Sequence, residues 1–184
     1  MIFVPTEREA AFFSEHGLQV EICGVGMAEC AAATARLLAD GLSADHGPEL
    51  VILAGIAGTY TDALSVGDTV VVASETVADM GRRNPDGSFA PFFQKSYAAS
   101  FVPEGFPVVA ANTVSTAGGP VAPTDAEIEN MEGAGFFAVC ERFGVRAAEV
   151  RTVSNRVGEP VTPELLDIAA RRLAADLAKI IERL

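Results

Sequence analysis

The sequence predicts an α/β fold, and three observations carry that expectation. Short apolar runs of strand length recur along the chain, separated by Ala- and Leu-rich stretches with helical spacing. Glycines and capping residues stand at the joins between them. The composition is 49% hydrophobic with no tryptophan and 11 phenylalanines, which describes a packed interior and not a disordered chain. At 184 residues the chain can bury a sizeable core, so one domain spanning residues 1–184 is expected.

Taken in order, Met1 to Pro5 reads as a first strand, stopped by Pro5 and Thr6. Thr6 can cap a helix over Glu7 to His16, which Gly17 can end. Glu7 and Glu9 then lie in a first turn just past a strand end, where the helix dipole alone favours acidic residues. Gln19 to Cys23 reads as a second strand, Gly24-Val25-Gly26 as a tight turn, and Ala28 to Asp40 as an Ala-rich helix. That order matches a dinucleotide fingerprint except that Glu29 takes the place of the third glycine. Close backbone packing accounts for the glycines, and a dehydrogenase is the competing reading.

Glu49 to Ala54 is the most hydrophobic segment and is predicted to be a central buried strand. It runs into Gly55-Ile56-Ala57-Gly58-Thr59, read as a turn whose small residues let backbone N–H groups approach a ligand at the strand's C-terminal end. Val66-Gly67-Asp68 turns into a strand over Thr69 to Ala73. The stretch from Ala78 to Gly105 is the least regular, with a turn at Asn84-Pro85-Asp86-Gly87. Arg82, Arg83, Phe89, Phe92, Phe93 and Lys95 surround that turn and suit a lid over an aromatic, anionic ligand.

Phe106 to Ser115 reads as another strand, followed by a Gly-Pro-rich loop from Ala117 to Pro123. Thr124 to Glu127 has capping-box spacing and is expected to start a helix; a second helix is expected over Asn130 to Phe143, ending at Gly144. It places the carboxylate of Glu132 in an apolar run, where a hydroxyl-rich ligand would be a fitting partner. Ala147 to Val153 is a further strand, closing with Ser154-Asn155-Arg156. Thr162 caps a last helix with Pro163 at its first position. Leu166, Ala169, Leu173, Leu177, Ile180 and Leu184 give that helix one apolar face.

Charge excludes some functions. Acids outnumber bases 25 to 13, for a formal net charge of −12, so nucleic acid and anionic membrane are not expected partners. The three cysteines, Cys23, Cys30 and Cys140, sit among apolar residues with no CxxC and read as reduced buried thiols. His16 and His46 stand apart in expected surface loops, and neither a metal constellation nor a Ser-His-Asp set is visible; no cofactor is expected. No N-terminal basic and apolar leader is present, and the longest apolar run, Leu50 to Ala57, is too short to span a bilayer, so a cytoplasmic location is expected.

Four motifs recur in a set order: Glu9 at a strand end, Gly55 to Thr59, Asn130-Met131-Glu132, and Val150 to Asn155. Together they resemble the nucleoside phosphorylase/nucleosidase family, over Ile2 to about Gly158. Within it the sequence is similar to methylthioadenosine/S-adenosylhomocysteine nucleosidases and, above all, to futalosine hydrolases. Gly55-Ile56-Ala57-Gly58, Val66-Gly67-Asp68, Ala78-Asp79-Met80-Gly81, Asn130 to Ala134 and Ser154 to Gly158 carry the latter likeness.

The resemblance implies a three-layer αβα sandwich with a mixed, partly barrel-like sheet, acting on a purine nucleoside and assembled as a homodimer or higher homo-oligomer. It implies Glu9 as the water-activating base, with Glu7 ranked below it. It implies Glu132 as the acceptor for ribose hydroxyls, with Asn130 beside it and Met131 beneath the sugar. Ala57 and Gly58 become the backbone wall near the attacking water. Asn155 stands where adenine-specific members carry Asp. An amide can donate to a 6-oxo group and accept a developing N7–H, which favours hypoxanthine over adenine. The substrate's aromatic acid would suit the loop of Phe89, Phe93, Arg82 and Arg83, with Phe93 and Arg82 as the expected contacts and Arg83 as the other arginine open to that place. The Ala117-Gly118-Gly119-Pro120 loop lacks the aromatic that stacks on the base in adenine-cleaving relatives. Pro5 stands where a first-strand glycine is usual and the Gly55 turn has no arginine, so water is the expected acceptor. The implied reaction is hydrolysis of futalosine to hypoxanthine and dehypoxanthine futalosine. A methylthioadenosine/S-adenosylhomocysteine nucleosidase, a purine nucleoside phosphorylase and a non-catalytic nucleoside-binding module are the alternatives.

Overall fold

The computed structural model describes residues 1–43, 47–92, 95–119, 121 and 124–184. Expectations for His46 and Phe93 lie outside the described residues. The chain opens with strand β1 (Ile2–Val4), then a short helix α1 (Glu7–Ala10) and a 3₁₀ turn over Phe13–His16. The helix expected over Glu7 to His16 is thus two short pieces, capped by Thr6 at one end and by Gly17 at φ +71° at the other. Strand β2 (Glu21–Ile22) and the long helix α2 (Met27–Ser43) follow.

Strand β3 (Leu50–Thr59) is longer than expected. The small residues from Gly55 onward continue the strand and do not turn, because they stay paired with β10 as far as Thr59. Then come β4 (Thr69–Val77), a separate hairpin of β5 (Gly81–Arg83) and β6 (Phe89–Pro91), β7 (Ser96–Ala98) and β8 (Val108–Thr113). Strand β9 (Ile128–Asn130) replaces the helix expected after Thr124. Thr124 spends its hydroxyl on Asn112 Oδ1 at 2.9 Å instead of on a helix N-terminus. Helix α3 (Gly133–Phe143), strand β10 (Arg146–Arg156) and helix α4 (Pro163–Ile181) complete the chain. Asn130 to Glu132 are therefore a strand end and an N-cap, not helix interior.

The strands β3, β10, β4, β8 and β9 close on one another into a barrel-like ring, with β1 and β2 extending from β3. Alternate residues of β3 serve two cores, as a pleated strand requires. Val51 and Leu53 pack with Phe136, Phe137, Cys30 and Leu38 of α3 and α2. Ile52 and Ala54 pack with Leu173, Leu177 and Ile180 of α4. Helices thus cover both faces of the sheet, the expected αβα arrangement, and the three cysteines are buried and free.

The feature that makes a site is the way β3 is shared. Strand β10 runs parallel along one edge from Leu50 to Thr59. The other edge is split: β1 pairs at Ile52 and Leu53, and β9 pairs at Gly58 and Thr59. Between them β3 has no strand partner on that side among the described residues. Backbone groups left there need other partners.

Truncating Leu173, fully buried between α4 and the sheet, is expected to lower stability by about 2–5 kcal/mol. A urea midpoint unchanged in Leu173→Ala would contradict this packing.

Candidate active site

The gap in β3's edge opens a cleft of about 370 Å³. Pro5, Glu9, Ile56, Ala57, Gly58, Asn130, Met131, Glu132 and Asn155 all line it. Glu9 is 4% exposed, whereas Glu7 lies at the surface. The orphan Ile56 N–H donates to Glu9 Oε1 at 3.0 Å, and Thr6 Oγ1 donates to Glu9 Oε2 at 2.6 Å. Burial pushes the Glu9 carboxyl above the ordinary value of 4.5; the bonds from Thr6 and Ile56 and the charge of Arg151 offset this in part.

Glu132 is held from two sides. Gly26 N–H donates to its Oε1 at 3.0 Å, so the Gly24-Val25-Gly26 turn serves this carboxylate. Arg151 Nη1 donates to its Oε2 at 3.2 Å. Arg151 is the side chain that sequence reasoning quoted without a role. Its guanidinium is fully buried and also donates to Glu149 Oε1 at 2.7 Å, Asn130 Oδ1 at 3.0 Å and Ile56 O at 3.3 Å. Burial alone would pull its pKa down; Glu149, Glu132 and Glu75 outweigh that and hold it above the usual arginine value. Gly55 leaves room for it. A Cβ at Gly55 would collide with Arg151 Nη1 and lie 3.1 Å from Glu9 Oε1. One guanidinium therefore stands beside both acids.

Asn130 spends its amide oxygen and one Nδ2 hydrogen on the protein itself. Its Nδ2 donates to Glu75 Oε1, and its Oδ1 accepts from Arg151 and from the backbone N–H groups of Glu132 and Gly133. Its place is that of a brace for the Glu132 turn. Glu75 also accepts from Thr113 Oγ1 at 2.7 Å. Glu75 and Glu149 are both fully buried and converge on Gly133, where a Cβ would collide with Glu75 Oε1 and lie 2.7 Å from Glu149 Oε2. Glu149 Oε2 is buried without a hydrogen-bond partner. Two such carboxylates cannot both ionise at low cost, and a proton between them supplies the missing partner. Burial first, and then the charge of Glu149, push Glu75 well above the ordinary range; burial likewise raises Glu149 against the pull of Arg151.

At the far end, Asn155 accepts from Ser154 Oγ at 2.8 Å and donates to Arg156 O at 2.9 Å. A register shift between Val153 and Asn155 places it opposite Gly58. Arg82 lies exposed on the β5–β6 hairpin and is not among the residues lining this cleft. The cationic residue at the cleft is Arg8, paired with Asp167 at 2.7 Å and flanked by Val161 and Leu166. Among the described residues no group of three or more His, Cys, Asp or Glu is arranged to hold a metal ion, and no helix is long and apolar enough to cross a membrane.

A split-edged barrel with a buried acid at the gap, a second acid at a helix start and an amide on the neighbouring strand defines a phosphorylase-type fold. The chain belongs to the phosphorylase superfamily, whose family model matches residues 5–184. It is 31% identical to a futalosine hydrolase of Streptomyces coelicolor, over 90% of this chain and 76% of that protein. It is 36% identical to a futalosine hydrolase of Acidothermus cellulolyticus over 59% of this chain and 54% of the relative. In structure it superposes on a 5'-methylthioadenosine/S-adenosylhomocysteine nucleosidase of Helicobacter pylori with a TM-score of 0.78 at 16% identity, covering 100% of this chain and 97% of that one. At that identity the likeness is one of fold.

Because Glu75 and Glu149 hold protons above the ordinary value of 4.5, the folded chain binds more protons than the unfolded one above that pH. Their stabilising contribution is fully present below the ordinary value and is lost as pH rises through their folded pKa, at about 1.4 kcal/mol per pH unit per proton. Glu149→Gln puts a permanent donor in place of the shared proton and is expected to flatten this slope. Urea midpoints measured across pH check it; parallel slopes for the two proteins would rule out the shared proton.

Proposed function

We propose that this protein is a purine nucleoside N-ribosyl hydrolase that cleaves futalosine to hypoxanthine and dehypoxanthine futalosine. The observation that carries the reading is the pair of buried acids, Glu9 and Glu132, on either side of one guanidinium, with Asn155 at the other end of the same cleft. The relatives named futalosine hydrolase support the choice of substrate.

N-glycosidic cleavage makes the sugar oxocarbenium-like. Glu132 Oε2 already accepts from Arg151 Nη1 and from Met131 N–H at 3.4 Å, whereas Oε1, bonded to Gly26 N–H, keeps capacity to accept from a ribose hydroxyl; a charged hydrogen bond of this sort contributes about 1.5–3 kcal/mol. Glu9 takes a proton from water as the water oxygen bonds to C1′ and the C1′–N9 bond breaks. The departing hypoxanthine takes a solvent proton at N7, and Asn155 Oδ1 accepts that N7–H while Nδ2 donates to O6. Ala57 and Gly58 wall the water side, and Met131 packs beneath the sugar. The substrate's aromatic acid faces Arg8, Val161 and Leu166, the cationic and apolar groups present on the cleft wall. A homodimer located in the cytoplasm belongs to the same reading.

Incubation with futalosine is expected to release hypoxanthine without added phosphate, as chromatography of the freed base would show. Release of adenine from methylthioadenosine instead, or a strict need for phosphate, overturns the assignment. Glu9→Gln is expected to lower kcat by roughly 10²–10⁴-fold with substrate affinity retained. Since Glu9 must be ionised to act and its pKa is raised, kcat/KM is expected to rise with pH through an acid limb above 4.5 that Glu9→Gln abolishes. Asn155→Asp is expected to shift preference toward adenine nucleosides in the same assay.

A further inference from the structure

Glu75 is fully buried on β4, lines no part of the cleft and has no part in the chemistry proposed above. It reaches the pentose end of the cleft through one neighbour. Thr113 on β8 and Asn130 on β9 share a register row that Val77 continues on β4. Glu75 lies two residues before Val77, so its side chain stands on the same face of the sheet. On β9 the preceding residue, Glu129, is opposite Gly58 and turns the other way.

Both Glu75 oxygens serve as acceptors. Ala134 N–H donates to Thr113 Oγ1 at 2.7 Å, which leaves the hydroxyl proton for Glu75 Oε2, also at 2.7 Å. Asn130 Nδ2 donates to Glu75 Oε1. With its Nδ2 so engaged, the amide turns Oδ1 toward three donors: Arg151 Nη2 at 3.0 Å, Glu132 N–H at 3.0 Å and Gly133 N–H at 2.8 Å. The reversed amide would set an NH₂ group against those donors and an oxygen against Glu75. Glu132 is the N-cap of α3 but makes no side-chain capping bond, so the helix start is tied down from Asn130 instead. Gly133 admits the acid, because a Cβ there would collide with Glu75 Oε1 and Cδ.

We infer that Glu75 is a positioning residue for the acid that meets the pentose: it holds the Asn130 amide in the orientation that fixes the Glu132 turn against Arg151. The inference rests on the reading of the cleft as a nucleoside site. It gives an acid that touches no ligand a part in ribose recognition.

Reversing the donor and the acceptor of the Glu75–Asn130 bond tests this. Asn130→Asp keeps Oδ1 in place but sets an oxygen against Glu75 Oε1. It is expected to raise the KM for futalosine about ten- to a hundredfold, the size of one mismatched buried polar group. Glu75→Leu, which offers Asn130 no acceptor, is expected to raise it over the same range. Adding Glu75→Gln to Asn130→Asp turns the bond round, since the Gln amide donates to the introduced carboxylate. That double variant is expected to return KM to within about threefold of wild type. The inhibition constant of 2′,3′-dideoxyinosine, which has no ribose hydroxyl to offer Glu132, is expected to stay within about threefold of wild type throughout. A general loosening of the fold would raise both constants together and would overturn the inference. So would a double variant no better than Asn130→Asp, and this comparison decides even where Asn130→Asp alone does not fold. If either result is found while the wild type hydrolyses futalosine, the role of Glu75 falls and the proposed activity stands. If the wild type neither hydrolyses futalosine nor is inhibited by the dideoxynucleoside, both fall.

Discussion

The buried guanidinium of Arg151 is the constraint around which the C-terminal end of the sheet is arranged. Taking such a charge out of water is expensive, and removing one partner of a buried pair typically costs about 3–5 kcal/mol. Every donor direction found for Arg151 is therefore met: Glu149 on its own strand, Glu132 at the start of α3, Asn130 at the end of β9 and the Ile56 carbonyl on β3. These partners come from separate stretches of chain and are brought together only by the closed sheet. The same cation lies beside Glu9, so the side chain that holds Glu132 also draws the Glu9 carboxyl back toward its ordinary value.

That arrangement depends on the divided edge of β3. Had β1 and β9 met end to end, the Ile56 N–H would be bound in a ladder and Glu9 would have no anchor on the strand. Because they part after Leu53 and rejoin only at Gly58, one backbone donor and one backbone acceptor are exposed to side chains. Gly55 then removes the Cβ that would fill the opening. Architecture, backbone hydrogen bonding and side-chain placement are thus one feature seen at three scales.

Much of this was legible in the sequence, for identifiable reasons. The alternation of strands and helices, the caps at Thr6 and Thr162 and the apolar face of α4 are local patterns. Glu9, Glu132 and Asn155 stood out by motif. What was hidden was non-local. Glu75 and Glu149 drew no expectation; nothing near them in sequence shows that Asn130, 55 residues from Glu75, takes up one carboxylate oxygen. Strand β9 was obscured because Thr124 to Glu127 has capping-box spacing and Ile128-Glu129-Asn130 is a weak strand former, so a tertiary pairing decided against local propensity. Arg82 is expected at the ligand because basic and aromatic residues cluster around it, but that hairpin forms its own two-stranded sheet and contributes no residue to the cleft lining.

The register row Glu129–Gly58–Asn155 has a consequence for how such a protein can diverge. Glu129 and Asn155 sit one strand-width either side of a glycine, whereas Glu132 and Asn130 hang from the Arg151 cluster. Exchanging the outer residues of the row alters neither the internal ion pairs nor the strand order. The two ends of the cleft can therefore change independently of one another.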